Sequence, residues 1–119
     1  MAQNFQNMRV WQDAVSLHKD IISKLTSLPK EELYAMNSQL RRASLSISNN
    51  IAEGKGRYSK KEFVQFLYIA RGSLYETVSI LNIFHNRNWI DSKTLLKFED
   101  DALQIVRMLK GLITSVKGS

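Results

Sequence analysis

The sequence predicts an all-α fold, an antiparallel up-down-up-down four-helix bundle. Three observations carry that reading. Apolar residues recur at steps of three and four through four long stretches. No stretch alternates apolar and polar residues over a useful length, so no strand is expected. Breakers are few, with one proline and five glycines in 119 residues, which suits long helices. Four helices of about 20 residues joined by short connections place sequential neighbours side by side and antiparallel. At this length the chain, residues 1–119, makes one domain with one core.

The first helix is expected over about residues 8–27. Its apolar set is Val10, Trp11, Ala14, Val15, His18, Ile21, Ile22, Leu25 and Leu28. Pro29 breaks the pattern, because a proline is tolerated in a first turn but not in a helix interior. The second helix therefore starts near Lys30 and runs to about residue 53, with Leu33, Met36, Leu40, Ala43, Ser44, Ile47 and Ile51 on its seam. Gly54 and Gly56 are read as its stop signals, glycine being the usual residue just past a helix C-terminus.

Ser59-Lys60-Lys61-Glu62 has the S-x-x-E form of a capping box and restarts a helix at Lys60. This third helix, residues 60–86, carries Phe63, Phe66, Leu67, Ala70, Ser73, Leu74, Thr77, Ile80, Leu81 and Phe84. The polar run "HNRN" ends it, and Trp89 and Ile90 cover a corner. Asp91 or Ser92 caps the fourth helix, residues 92–116, whose seam is Leu95, Phe98, Ala102, Ile105, Leu109, Leu112, Ile113 and Val116.

Composition removes several classes of function. There is no cysteine, which excludes disulfides and thiolate zinc sites. The N-terminus lacks a basic segment followed by an apolar one, so no signal peptide is expected. No apolar run approaches the roughly 18 residues of a membrane helix. A cytoplasmic protein with no membrane partner is the expectation.

Catalytic constellations are not visible. "GKGRYS" has neither the spacing nor the strand-to-helix setting of a Walker A loop. Glu31, Glu32, Glu53, Glu62, Glu76 and Glu99 all lack a histidine three residues later, so the di-metal bundle motif is missing. His18 and His85 lie on different helices without a ligand cluster, and the arginines that most nearly precede them, Arg9 and Arg71, are too distant for an Arg-x(4–6)-His ribonuclease motif. No enzyme, metal or cofactor is expected.

Charge is concentrated. From Arg41 to Arg71 seven cations face two anions, +5 of the chain's net +6. The four cations Lys55, Arg57, Lys60 and Lys61 exceed what a turn requires, and lysines at a helix N-terminus oppose its dipole. Free N–H groups there, beside four cations, suit a phosphate. Arg41, Arg42 and Arg71 are lesser candidates for the same role. Exposed aromatics beside these cations are expected to be few apart from Tyr58, which points to phosphate contacts with little base stacking.

The polar face of the second helix poses a separate question. Arg42, Ser46, Asn49 and Glu53 form one stripe beside the apolar seam, and Arg71, Gly72, Ser73, Tyr75 and Glu76 on the third helix can answer it. Small residues allow close approach, and amides or charged pairs can fix register. Three readings stand: a tight hairpin within one subunit, a subunit interface through Arg42, Asn49, Glu53 and Glu76, or a ligand site.

The run from Gln39 to Glu76 contains Q-x-R-R-A (39–43), N-I-A-E-G (50–54), G-R-x-S (56–59), E-F-x-x-F-L-x-I-A (62–70) and G-S-L-x-E (72–76). With these motifs and the opening "VWQDAVSLHKDIISKLTSLPKEELY", nearly the whole chain resembles the four-helix-bundle proteins encoded in intervening sequences of bacterial 23S rRNA genes. That family is similar in fold to the accessory protein of diversity-generating retroelements, a basic homopentamer that works with nucleic acid and a reverse transcriptase. The resemblance implies a non-enzymatic homo-oligomer, pentameric by analogy, associated with nucleic acid and with a reverse transcriptase as a possible protein partner. It supplies no catalytic residues. The alternative is a protein–protein adaptor with no direct nucleic-acid role.

Overall fold

A computed structural model describes residues 4–28 and 34–118. The expected second-helix start at Lys30, with Pro29 and Leu33, lies outside the described residues. After a short 3₁₀ turn at Phe5–Asn7, the chain forms α1 (Arg9–Leu25), α2 (Tyr34–Lys55), α3 (Lys60–Asn86) and α4 (Ser92–Gly118). The bundle measures 46 × 22 × 20 Å, the long axis matching the ~40 Å length of a 27-residue helix. Close backbone approaches link α1 with α2, α2 with α3, α3 with α4 and α4 with α1, while no described Cα atoms of the two diagonal pairs come within 8 Å of each other. Cross-helix partners give the directions. Ser46 meets Ser73 while Gly54 meets Phe66, and Tyr68 meets Lys117 while Asn82 meets Glu99, so α3 runs antiparallel to both α2 and α4.

The core follows the expected seams with local corrections. In α1 the buried stripe is Val10, Ala14, Leu17, Ile21 and Leu25. Leu17, only 2% exposed, belongs to it, whereas Trp11, His18 and Ile22 are half-buried on its flanks. In α3 the stripe begins at Val64, and Phe63 and Phe66 flank it half-buried. The expected stripe starts from Phe63 and Phe66, about one residue out of phase with the buried Val64 and Leu67. In α4 Leu112 and Val116 likewise stand at the margin.

Gly54 does not stop α2. The helix continues through it to Lys55, and no described glycine has a positive φ. Gly54 is buried where α2 meets α3, and a Cβ there would stand 2.6 Å from Phe66 Cβ and 3.1 Å from Phe63 Cδ1. The residue is a contact point between helices rather than a cap. The Gly56 N–H donates to Ala52 O and Glu53 O as the helix runs out.

Ser59 caps α3 as expected, its Oγ accepting from the Glu62 N–H at 3.1 Å. Asp91 caps α4, with Oδ1 accepting from the Thr94 N–H at 2.8 Å. The end of α3 is a Schellman motif built on asparagine. Asn88 has φ 63°, its N–H donates to His85 O, and the Trp89 N–H donates to Phe84 O. The accompanying apolar contact is an edge-to-face pair of Phe84 and Trp89 with ring centres 5.1 Å apart.

Candidate nucleic-acid interface

The α2–α3 corner sets Lys55, Arg57, Lys60 and Lys61 at one end of the bundle, all exposed. Two aromatic flanks organise the first pair. Lys55 Nζ lies 5.8 Å from the centre of the Phe63 ring, and the Arg57 guanidinium 4.8 Å from that of Phe66. Arg57 also pairs with Glu53 at 2.9 Å, and Glu62 is engaged by Ser59. The two carboxylates nearest the corner thus already have partners.

Because α4 returns antiparallel to α3, its last turn comes back to the same end. Lys117 Nζ donates to the Tyr68 hydroxyl at 3.0 Å. Lys60, Lys61, Val64, Gln65, Tyr68, Val116 and Lys117 surround a concavity of about 400 Å³. The Arg71 guanidinium sits 4.9 Å from the Tyr68 ring centre, which attaches Arg71 to this group although it lies about 16 Å along α3 from Lys60. The hydrogen bond from Lys117, then the charges of Lys117 and Arg71, hold the Tyr68 phenol below its ordinary 10.0.

Arg41 is not brought to this end. It borders a different concavity with Leu25, Thr26, Tyr34, Asn37 and Ser38, about 21 Å along α2 from Lys55. Lys117 was not among the expected contacts, and the aromatic expectation needs correction. Besides Tyr58, both Tyr68 (37% exposed) and Tyr75 (58% exposed) stand on the outer side of α3 beside Arg71. The seven-residue spacing of Lys61, Tyr68 and Tyr75 was the available signal, since it places them on one stripe of a helix.

The outer face of the α2–α3 hairpin holds Arg42, Asn49, Glu53 and Glu76, all exposed. Arg42 and Glu76 border one concavity of about 290 Å³ with Gln39, Ala43 and Ser46. Register within the hairpin is set by other groups. Ser46 and Ser73 hydroxyls meet at 2.9 Å, and Asn50 Nδ2 donates to Ser46 O at 2.8 Å and Ser46 Oγ at 2.9 Å. Asn50 turns inward; Asn49 does not.

The histidines each face a serine. His18 Nδ1 is 2.6 Å from Ser44 Oγ across α1 and α2, and His85 Nε2 is 3.0 Å from Ser92 Oγ. Burial first, then the charge of Arg41, lowers His18 below 6.5. Among the described residues no group of three or more histidine, aspartate or glutamate side chains could hold a metal, and no helix is long and apolar enough to cross a membrane.

Fold and surface together define an all-α four-helix bundle with a basic, tyrosine-bearing end. The chain belongs to the 23S rRNA-intervening sequence protein family, whose model matches residues 6–111. Solved structures agree in fold. One is the 1.70 Å crystal structure of a protein with unknown function from the S23 ribosomal protein family of Bacteroides thetaiotaomicron, with a TM-score of 0.81 and 24% identity. That match covers 87% of this chain and 97% of the other. No curated protein matches the chain.

Proposed function

We propose that this protein is a non-enzymatic, cytoplasmic, homo-oligomeric bundle that binds RNA or DNA through phosphate contacts at its basic end. The observation that carries the reading is the convergence of Lys55, Arg57, Lys60, Lys61 and Lys117 from two chain segments, with the nearby carboxylates already engaged. A field of this kind attracts a polyanion, and each phosphate neutralised releases counterions, so affinity falls steeply with salt. The test is fluorescence anisotropy of labelled structured RNA and duplex DNA across a salt series. Wild type is compared with a Lys55/Arg57/Lys60/Lys61→Ala variant of checked helicity and mass. Weaker binding and a shallower salt slope in the variant support the reading; absence of wild-type binding at low salt sinks it.

A second reading, an assembly or adaptor module, draws on the other hairpin face. Ile69, Glu76 and Ile83 recur every seven residues on α3, and the two isoleucines are 51% and 42% exposed. Arg42 and Asn49 stand on the facing stripe of α2. Apolar residues rimmed by polar ones suit a contact between copies of the chain, pentameric by the family resemblance. An assembly contact on this face coexists with nucleic-acid binding at the other, whereas an adaptor with no direct nucleic-acid role is the alternative to it. A reverse transcriptase remains the protein partner that the resemblance suggests.

A further inference from the structure

The α3–α4 seam carries a pattern that phosphate binding alone does not require. Tyr68 and Tyr75 are seven residues apart on α3, so they share a stripe and stand about 10 Å apart along the axis. Lys117 contacts Tyr68 directly. As α3 and α4 are antiparallel, seven residues forward from Tyr68 and seven back from Lys117 reach Tyr75 and Lys110. The register therefore sets Lys110 level with Tyr75, though only Lys117 bonds its tyrosine; Arg71 lies between the two tyrosines and Lys61 extends the stripe toward the corner. Lys61 and Lys110 are exposed like the tyrosines. The carboxylate bonded across this seam, Glu99, lies at its far end against Asn82.

We infer that this seam is a stacking platform for single-stranded nucleic acid, with bases on Tyr68 and Tyr75 and phosphates on Lys61, Arg71, Lys110 and Lys117. The inference rests on the nucleic-acid reading above and narrows its ligand class. Exposed aromatic rings are costly to leave in water, and Tyr75 has no hydrogen-bond or ring partner among the described residues. Aromatics interleaved with cations on a rigid element are the arrangement by which proteins hold unpaired strands, since every base has a stackable face. A duplex keeps its bases stacked internally and offers this seam only its phosphates. Arg71 and Lys117 lie 4.9 and 5.5 Å from the centre of the Tyr68 ring, so a base at that position extends the guanidinium–tyrosine stack, whereas Tyr75 offers an open ring.

The experiment measures anisotropy of a labelled 12-nucleotide oligo(A) single strand and of the same strand annealed to its complement, at two salt concentrations. Wild type, Tyr68→Leu/Tyr75→Leu and Tyr68→Phe/Tyr75→Phe are compared after matching helicity and melting temperature. The leucine pair is expected to lose single-strand affinity by about tenfold or more with an unchanged salt slope. Its duplex affinity changes no more than that of the phenylalanine pair, which also loses the Lys117 bond but keeps both rings and with them the single-strand affinity. Single-strand affinity within twofold of wild type in the leucine pair overturns the stacking platform and leaves phosphate binding standing. Wild-type protein that binds neither strand at low salt overturns both.

Discussion

Gly54 and Phe66 approach so closely that a Cβ on Gly54 would stand 2.6 Å from the Cβ of Phe66. The obstacle is the root of a side chain, so no change of rotamer relieves it. The carbonyl oxygen of Phe63 lies 3.3 Å from the same point. In an open helix, alanine would be favoured over glycine by roughly 1 kcal/mol. Here α2 and α3 must separate to admit the methyl, and overpacking costs about 1–3 kcal/mol. Gly54→Ala is expected to lower stability by about 1–2 kcal/mol, read as a lower urea midpoint at constant slope. A higher midpoint would mean that the two helices slide apart freely.

Asn88 supplies the left-handed residue of the Schellman motif after α3, with φ 63°. Asparagine tolerates this conformation where alanine pays about 1–2 kcal/mol. Asn88→Ala should therefore destabilise by about 1 kcal/mol, while Asn88→Gly stays within about 0.5 kcal/mol of wild type, its easier backbone offset by a more flexible unfolded chain. Equal urea midpoints for the alanine and glycine variants would show that the motif contributes nothing to the fold.

How much of this was legible follows from how local each signal is. The α3 boundaries, Lys60 and Asn86, were readable because the Ser59–Glu62 cap and the HNRN stop lie within a few residues of them. Gly54 was misread because its reason, the approach of Phe66, is tertiary. Spacing alone starts the α3 stripe at Phe63 and Phe66, whereas packing against the other helices sets the phase that buries Val64 and Leu67. The basic corner was visible as a contiguous run, but Lys117 reaches Tyr68 across 49 residues of sequence. Arg41 stands about 21 Å along α2 from Lys55, a separation that emerges only once both are on one continuous helix.

His18 links pH to stability. Its folded value lies below the 6.5 of the unfolded chain, so between the two the unfolded state binds more protons. The contribution of neutral His18 is complete above pH 6.5 and is lost as pH falls toward the folded value. Asp91, lowered from 3.8 first by its hydrogen bonds with Thr94, adds a second decline only below about that pH. Melting temperatures from pH 7.5 to 5 should therefore fall in wild type and fall less in His18→Gln, which can still bond Ser44. Equal declines would assign the acid limb to another group.

The α2–α3 outer face can be tested separately from the basic end. Ile69→Ser/Ile83→Ser removes exposed apolar surface without touching the core. Under the assembly reading, sedimentation equilibrium gives a smaller mass for this variant and for Arg42→Ala, with the monomer still helical. Unchanged mass in both would dismiss this face as the subunit contact.

Arg41 and Lys117 give opposite expectations for nucleic-acid binding. Both are exposed cations, so net charge falls equally when either is replaced. Arg41 lies about 21 Å along α2 from Lys55, whereas Lys117 sits beside Tyr68 and Lys61. A contact that neutralises one phosphate contributes about 0.9 to the slope of log affinity against log salt on B-DNA, and about 0.7 on single strands. Lys117→Ala is expected to reduce the slope by nearly that amount on a bound strand, and Arg41→Ala to leave it unchanged. Matching losses from both variants would mean that the ligand responds to overall charge, and the basic end would lose its claim to be a site.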